Sequence, residues 1–300
     1  MQKNAIALGT FDGLHIAHKA VLNNAKQSGF APVCLTFKAT PKYILKNKKG
    51  NMLLSFKQKR LALKQMGFKV KTLNFNKIKN KTPQEFLKFI NKKFSPKVIC
   101  CGYNYKFGKD AVGDSELLKE YFKSSAKVVV SEETQINGTT ISSSKIREYI
   151  KNGEIEKANQ MLGYEFSFES KIIKGDRRGR TIGFPTINQK YNSELVIPRF
   201  GAYITKTVVN NKEYNSITNI GLRPSFKTKG ILVETHIIDF NQNLYGKKAK
   251  IKFVSFLRDE TKFNSIEELK EQLEKDKTSL FRKEENNVWF RPFMYGLYGR

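Results

Sequence analysis

This sequence is poor in the residues that mark several common classes of protein. Its 300 residues include three cysteines, one tryptophan and eight prolines. Cys34, Cys100 and Cys101 are odd in number and lack the spacing of zinc ligands, so they predict buried thiols in a reducing cytosol. No apolar run approaches the ~20 residues that a membrane-spanning helix needs. A strand-like run begins at residue 5 and leaves no room for a signal peptide, so we expect a cytoplasmic protein.

Acidic residues are also scarce relative to basic ones. The chain has 27 Asp and Glu against 55 Lys and Arg, which gives a formal net charge of +28. Such a charge is typical of proteins that bind nucleic acid. However, only 11 of the basic residues are Arg, and the lysines are spread over the whole length. A general lysine bias therefore explains the charge better than a dedicated nucleic-acid site does.

The first half of the chain alternates strand-like and helical patterns. The strands are predicted at 5–9, 32–37, 70–75, 97–101 and 127–130, and the helices between them at 16–27, 56–66, 83–93 and 115–123. This alternation predicts right-handed crossovers and a Rossmann-like parallel sheet of the α/β class. In such a sheet a ligand binds outside the carboxyl ends of the strands.

The second half changes character after two further helices, predicted at 143–151 and 154–162. Runs at 166–173, 202–209, 214–220, 232–240 and 249–256 are rich in β-formers and predict an antiparallel β-barrel of five or six strands. A helix at 265–275 follows, opened by a capping box. The sequence therefore predicts two domains, 1–164 and 165–276, and a tail, 277–300, to which no role is assigned.

A glycine-containing motif follows the first predicted strand. It reads Gly9-Thr10-Phe11-Asp12-Gly13-Leu14-His15-Ile16-Ala17-His18. The glycines permit tight turns, and the following helix points its unpaired N–H groups at the loop, as phosphate binding requires. His15 and His18 lie on one side of the first helical turn, where imidazoles can stabilise charge on a phosphate. A plain turn, a metal pair or a buried histidine are the alternatives, and the metal pair is disfavoured because His236 is the only other histidine.

This motif resembles the nucleotidyltransferase motif of the bacterial bifunctional riboflavin kinase/FAD synthetase family, with Ala17 in the place of a glycine. Residues 102–108, which include Asn104, resemble the flavin- and nucleotide-site loop of the family. The family often has Pro-His-Pro where this chain has residues 39–41, Ala-Thr-Pro. The resemblance implies that ATP or flavin binds Gly9, Phe11, Asp12, Gly13 and Asn104.

Residues 141–147 resemble a further family motif, Ser-Ser-Thr-x-Ile-Arg. By themselves, Ser142, Ser143 and Ser144 are typical of a helix cap. The resemblance implies that these serines bind ATP or flavin and that Arg147 reaches the ATP phosphates. It further implies that His15, His18 and Arg147 are catalytic.

The second motif lies between two β-like runs. It contains Gly175, Gly179 and Gly183, then Pro185-Thr186-Ile187-Asn188. Pro185 restricts the backbone, so Thr186 and Asn188 project from the same side of an extended segment. Their oxygen atoms suit Mg²⁺ carried by ATP phosphates, although a simple Pro-Thr turn is the alternative.

The second motif resembles the riboflavin kinase fingerprint of the same family, and further matches follow at 201–203, 219–225 and 233–236. The resemblance implies that Gly179, Gly183, Thr186 and Asn188 bind ATP or flavin and that Thr186 and Asn188 hold the metal. It also implies that Glu234 is the general base that takes the proton of an alcohol. For His236 we expect a structural role.

The sequence therefore predicts an enzyme that phosphorylates riboflavin to FMN and adenylylates FMN to FAD. Its expected small-molecule partners are riboflavin, FMN, FAD and ATP with Mg²⁺, and the oligomeric state is open. Two alternatives remain at this point. One is a riboflavin kinase whose first domain is impaired in adenylylation, and the other is a basic nucleic-acid-binding protein on a nucleotidyltransferase scaffold.

Overall fold

The computed structural model describes residues 3–45, 50–175, 179, 182–222 and 230–285. The chain divides into two compact units, of which the first ends at Ser143 and the second begins at Ser144. Each unit has its own sheet.

The first unit is built on a five-stranded parallel sheet. Its strands lie side by side in the order β3-β2-β1-β4-β5. Their bounds are β1 (Asn4–Leu8), β2 (Ala31–Phe37), β3 (Lys69–Leu73), β4 (Pro96–Gly102) and β5 (Lys127–Ser131). The predicted Rossmann-like parallel sheet is confirmed.

Helices connect these strands. They are α1 (Ile16–Lys26), α2 (Pro41–Leu45), α3 (Phe56–Gln65), α4 (Phe75–Ile78), α5 (Pro83–Phe94) and α6 (Ser115–Phe122). Ser55 with Gln58, and Thr82 with Glu85, form capping boxes that fix where α3 and α5 begin. The pattern missed the short helices α2 and α4, a 3₁₀ turn at Lys109–Ala111, and a hairpin of β6 (Gln135–Ile136) and β7 (Thr139–Thr140). It also wrongly extended β3 to Phe75, which begins α4.

Apolar side chains cover both faces of this sheet. On β1, Ile6 and Leu8 enter one core cluster, and Ala5 and Ala7 enter the other. This two-sided burial is expected of a parallel sheet between helices. All three cysteines are buried free thiols, as predicted.

The second unit is a closed antiparallel barrel preceded by α7 (Ser143–Asn152) and α8 (Ile155–Leu162). Its strands follow each other around the barrel in the order β10-β11-β12-β9-β8-β13. They are β8 (Ser167–Ile173), β9 (Thr186–Lys190), β10 (Gly201–Val209), β11 (Lys212–Leu222), β12 (Ile231–Ile237) and β13 (Lys248–Arg258). The helix α9 (Ile266–Glu285) follows, and it continues ten residues beyond its predicted end at 275. The predicted barrel with a C-terminal helix is confirmed.

Two features fix this barrel. Asn159 of α8 donates to the carbonyl of Phe253 (2.9 Å) and accepts from the amide of Phe166 (2.8 Å), which binds α8 to the barrel. Inside the barrel, hydroxyl groups on β10, β11 and β12 form a hydrogen-bonded row. Since buried hydroxyls are costly without partners, this row favours one register of the three strands.

Candidate active sites

The first candidate site lies at the carboxyl end of β1. In the sheet β1 is flanked by β2 and β4, and the chain order reverses at this point. Ligands of open α/β sheets bind in the crevice at such a switch point. The loop with the Gly9 motif leaves β1 here, and the Gly102 turn leaves the neighbouring β4. The topology therefore brings two of the predicted segments to one edge of the sheet.

The loop after β1 has an unusual backbone. Phe11 (φ 49°), Gly13 (φ 86°) and Leu14 (φ 43°) are all left-handed. Glycine adopts this conformation readily, whereas each of the other two costs roughly 1–3 kcal/mol. The burial of Phe11, which is 1% exposed, and of Leu14 offsets part of this cost. A loop held in this conformation has its amide groups oriented before a ligand binds.

The two histidines of the motif form a stacked pair. His15 is the N-cap residue of α1, and its Nδ1 accepts from the backbone N–H of His18 (3.4 Å). Their ring centroids are 3.6 Å apart, with planes inclined by 17°. Phe11 meets the His18 ring edge-on, at 5.4 Å. Because Nδ1 of His15 accepts a hydrogen bond, its Nε2 carries the proton and can donate to an anion.

Two long-range hydrogen bonds hold the loop at Asp12. The Asp12 carboxylate is buried and accepts from the amide of Leu53 (2.9 Å). The Asp12 carbonyl accepts from the hydroxyl of Ser143 (2.9 Å), across 131 residues of sequence. The hydroxyl of Ser143, the first residue of α7, thus binds the glycine motif.

The remaining predicted residues of this site lie on three further segments of the chain. Asn104 is exposed in the turn after β4, and Gly9 begins the loop itself. Ser142 precedes α7, and Ser144 lies in its first turn. Arg147 is buried and lies one helical turn beyond Ser143 on α7. The structure thus brings together Gly9, Phe11, Asp12, Gly13, His15, His18 and Ser143, places Asn104 at the adjacent strand end, and places Arg147 along α7.

Lys59, which no sequence motif indicated, lies on α3 beneath this loop. Its side chain is 1% exposed. Its Nζ donates to the carbonyls of Thr10 and Phe37, both at 2.8 Å, and to the Thr36 hydroxyl at 3.3 Å. Burial lowers the pKa of Lys59 to about 8, while the nearby Asp12 acts in the opposite direction. The sequence did contain a signal for the burial of this lysine, because residue 59 lies one helical turn before Leu63 and shares the apolar face of α3 with it.

The second candidate site lies on the outer face of the barrel. The register pairs Glu234 of β12 with Asn188 of β9 on one side and Asn219 of β11 on the other. On the same strand, Val233 and Thr235 point into the barrel and are fully buried. Directly paired residues have Cβ atoms about 5 Å apart. The register therefore places the predicted base beside the predicted metal ligand.

These residues border a cavity of about 870 Å³. Drug-sized ligands occupy cavities of roughly 300–1,000 Å³. One part of the wall is polar, with Thr186, Asn188, Asn219, Glu234 and His236. Another part is apolar, with Phe184, Leu222, Leu232, Phe263, Ile266, Leu269 and Leu273. A flat aromatic molecule that carries a polar tail would suit both parts.

The Asn188 side chain is suited to a cation. It is 5% exposed, and its Oδ1 atom has no hydrogen-bond partner. A Cβ on Gly175 would overlap the Asn188 amide group, so the backbone at Gly175 packs directly on it. Buried polar atoms normally have a partner, and a cation would supply one to this oxygen. Thr186, two residues earlier on β9, faces the same way and is exposed.

The segment before β9 is shaped around the cavity. The carbonyl of Gly179 accepts from the amide of Phe184 (2.8 Å), and Gly183, which precedes Phe184, is left-handed (φ 86°). His236 donates from Nδ1 to the carbonyl of Pro185 (2.9 Å), and burial lowers the pKa of this histidine. His236 thereby attaches the Pro-Thr segment to the strand of Glu234, in keeping with a structural role. Residues 176–178, 180–181 and 223–225 of the predicted motifs lie outside the described residues.

The helix α9 forms one wall of the cavity and was not assigned to it from sequence. Arg258 of β13 donates to the buried Asp276 of α9, from Nη2 at 2.8 Å and from Nε at 3.1 Å. Gln272 donates to the same carboxylate at 2.9 Å. The ion pair between Arg258 and Asp276 holds the apolar face of α9 against the cavity.

Family profiles match both halves of the chain. The profile described as FAD synthetase matches residues 1–145, and the one described as riboflavin kinase matches residues 162–282. A bifunctional riboflavin kinase/FMN adenylyltransferase from Listeria monocytogenes is 35% identical over 90% of this chain and 89% of its own length. The chain belongs to the bifunctional riboflavin kinase/FMN adenylyltransferase family. Both catalytic domains of the family are present, which confirms the expected enzyme of flavin cofactor biosynthesis.

Other relatives agree with this family membership. The Bacillus subtilis protein of the same name is 34% identical over 93% of this chain and 92% of its own. A crystal structure described as a macrolide-efflux protein from Streptococcus pneumoniae superposes with a TM-score of 0.86 at 28% identity, over 93% of this chain and 94% of that one.

Within the ranges that our structure describes, every helix is too short or too polar to cross a membrane.

A divalent cation is general in the chemistry of these families, and the donors at the second site fit one. ATP-dependent kinases and adenylyltransferases generally use such an ion. Among the described residues, no group of three or more His, Cys, Asp or Glu side chains could hold a metal by itself. The neutral oxygens of Thr186 and Asn188 therefore suit an ion that arrives with most of its ligands supplied by phosphate.

Proposed function

We propose that residues 165–276 transfer phosphate from ATP to riboflavin, and that residues 1–164 transfer AMP from a second ATP to the resulting FMN. The observation that carries this proposal is the pairing of Glu234 with Asn188 at a cavity of about 870 Å³. A phosphoryl transfer to an alcohol needs a carboxylate and a metal ligand side by side, and this register supplies both. Since both reactions consume ATP, we place the enzyme in the cytoplasm.

In the kinase reaction the 5′-hydroxyl of riboflavin attacks the γ-phosphorus of ATP. A bond forms from that oxygen to phosphorus, the bond to the β,γ-bridging oxygen breaks, and ADP leaves. Glu234 accepts the hydroxyl proton. The apolar wall with α9 would hold the flavin rings, and Gly179 and Gly183 would place backbone beside the phosphates.

A smaller hollow of about 70 Å³ supports this arrangement. It lies on the other side of β9, between Ile172, Ile187 and Phe240, and Thr186 lines both this hollow and the large cavity. Thr186 is the residue that both pockets share, which fits a contact with the transferred phosphate or its metal.

We assign Mg²⁺ as the divalent ion, held by Thr186 and Asn188 together with phosphate oxygens. Hard oxygen donors suit Mg²⁺, which usually binds through few protein ligands. When bound, the ion would neutralise charge on the phosphates.

In the adenylylation reaction an FMN phosphate oxygen attacks the α-phosphorus of ATP, and pyrophosphate leaves. No side chain needs to act as a nucleophile. Catalysis then depends on positioning and on charge stabilisation. His15 donates from Nε2, and His18 and Arg147 supply further donors. The amides of the loop from Gly9 to Gly13, with Asn104 and the serines 142–144, would bind the nucleotide or the flavin.

The departures from the family motif do not favour an impaired first domain. Ala17 lies inside α1, where alanine forms helix better than glycine, so this substitution introduces no backbone strain. Residues 39 and 40 precede α2, and the Thr40 carbonyl accepts from the amide of Tyr43 (2.9 Å) as that helix begins. Residues 17, 39 and 40 all avoid the left-handed backbone region, so neither departure strains the backbone.

The deciding experiment is incubation of the purified chain with riboflavin and MgATP, followed by chromatographic separation of FMN and FAD. We expect both products, with FMN formed first. FMN alone would support the kinase with an impaired first domain. Formation of neither, together with salt-dependent binding to DNA or RNA, would favour the nucleic-acid-binding alternative and refute the proposal.

A further inference from the structure

Lys59 is a buried cation to which the proposed reactions assign no role. A lysine is almost never fully buried unless it is paired, and removing its charge from water costs several kcal/mol. Within the described part of the chain, the Lys59 ammonium group donates to uncharged oxygens and not to a carboxylate. Its three ammonium protons have three oxygen acceptors, on Thr10, Thr36 and Phe37. A core that needed only packing would be served as well by Leu or Met at this position.

The acceptors of Lys59 identify what it holds. Thr10 lies in the loop after β1, immediately before the left-handed Phe11, and Phe37 is the last residue of β2. The carbonyl of Thr10 receives a second hydrogen bond from the Thr36 hydroxyl (2.8 Å). Lys59 therefore ties together two adjacent strand ends at the edge where the ligand binds.

The same segment of chain holds the loop on its other side. Leu53, just before α3, donates its amide to Asp12, and Lys59 holds Thr10. The strained residue Phe11 lies between these two attachments, and its ring contacts His18. Movement at Thr10 would therefore reach the histidine pair through Phe11.

The geometry points to Lys59 as a positioning residue for the adenylylation of FMN. Its ammonium group fixes the Thr10 carbonyl, and thereby holds the loop amides and the His15–His18 pair in the arrangement that receives the α-phosphate. This inference rests on the proposed function of the first unit. It predicts an effect on the rate of AMP transfer that goes beyond any effect on folding.

The test uses the full chain and two substitutions. Lys59→Met keeps the length of the side chain and removes its charge and donors. Thr36→Val keeps the shape and removes the hydroxyl that binds the Thr10 carbonyl. Lys57→Met, an exposed lysine on the same helix, is the matched control. For each protein we would measure kcat and KM for conversion of FMN to FAD, the rate of riboflavin phosphorylation, and the folded fraction by circular dichroism.

We expect Lys59→Met to lower kcat for FAD formation about 100-fold per folded molecule, the size of effect that follows a misplacement of about 1 Å. Thr36→Val should lower it by a smaller factor, about 5-fold, as the loss of a single hydrogen bond predicts. Riboflavin phosphorylation, and both rates of Lys57→Met, should stay within about twofold of the unsubstituted chain.

An unchanged kcat per folded molecule in Lys59→Met, with lower thermal stability, would make Lys59 merely structural and overturn the inference. If Lys59→Met does not fold, Thr36→Val decides: a lowered kcat supports the inference, and the rate of the unsubstituted chain overturns it. If the unsubstituted chain forms no FAD, the proposed function fails and the inference falls with it. If it forms FAD and both variants equal it, the inference alone fails.

Discussion

Replacing Glu234 by Gln tests the kinase assignment at its centre. The substitution keeps the shape of the side chain between Asn188 and Asn219 and removes its ability to accept a proton. A glutamine side chain fits between these two asparagines without any change in the pairing of the strands, so the barrel should keep its structure. The variant should still bind riboflavin and MgATP but phosphorylate slowly.

The size of the effect follows from what else borders the cavity. General base catalysis contributes about 10²–10⁴ to a rate. Asp276 accepts hydrogen bonds from Arg258 and Gln272 and is held on the α9 wall, so it is not placed to replace the lost base. Glu260 borders the cavity but packs against the backbone of Gly221. We therefore expect a loss of about 10³ in kcat, or about 4 kcal/mol of transition-state stabilisation.

The assay follows FMN production from riboflavin and, separately, FAD production from added FMN. Glu234→Gln should lose the first activity and keep the second, because the two reactions use different units of the chain. Glu169→Gln, an exposed strand carboxylate of the same barrel outside the cavity lining, is the control and should keep both activities. FMN production within about threefold of the unsubstituted chain would refute the role of Glu234 as base. Loss of both activities would contradict the assignment of two separate sites.

Three further predictions concern other residues. His15→Ala should abolish FAD formation and spare FMN formation, and parallel loss of both rates would contradict it. Gly175→Ala should displace the Asn188 amide and raise the KM for MgATP in the kinase reaction about tenfold, since a change in the groups that orient a metal ligand typically lowers metal affinity 10–100-fold. An unchanged KM would argue against Asn188 as a metal ligand. The lowered pKa of Lys59, about 8 against 10.5, means that the unfolded chain binds more protons between these values, so stability should rise with pH there. The free energy of urea unfolding of the unsubstituted chain should gain about 3 kcal/mol relative to Lys59→Met between pH 7 and pH 10.5, and a constant difference would refute the pKa shift.

Much of the architecture could be predicted from local pattern. The alternation of apolar runs with helical periods predicted the parallel sheet, and the predicted starts of α3 at residue 56 and of α5 at residue 83 agree with the structure. The late helix was predicted too short because its polar continuation to Glu285 carries little periodic apolar signal. The short helices α2 and α4 were missed for a related reason, since one turn of helix leaves no recognisable period.

The sequence by itself determined the two fold classes and the two glycine motifs, because turn chemistry and side-chain periodicity are properties of neighbouring residues. Only the tertiary structure decided which of these residues meet. The strand order placed β1 at the switch point, the register set Glu234 beside Asn188, and long-range hydrogen bonds joined Ser143 and Lys59 to one loop. These pairings depend on contacts between residues far apart along the chain. They arise because a buried polar group forms hydrogen bonds with the groups that the packing of the core brings close to it. The local sequence pattern does not specify which groups those are.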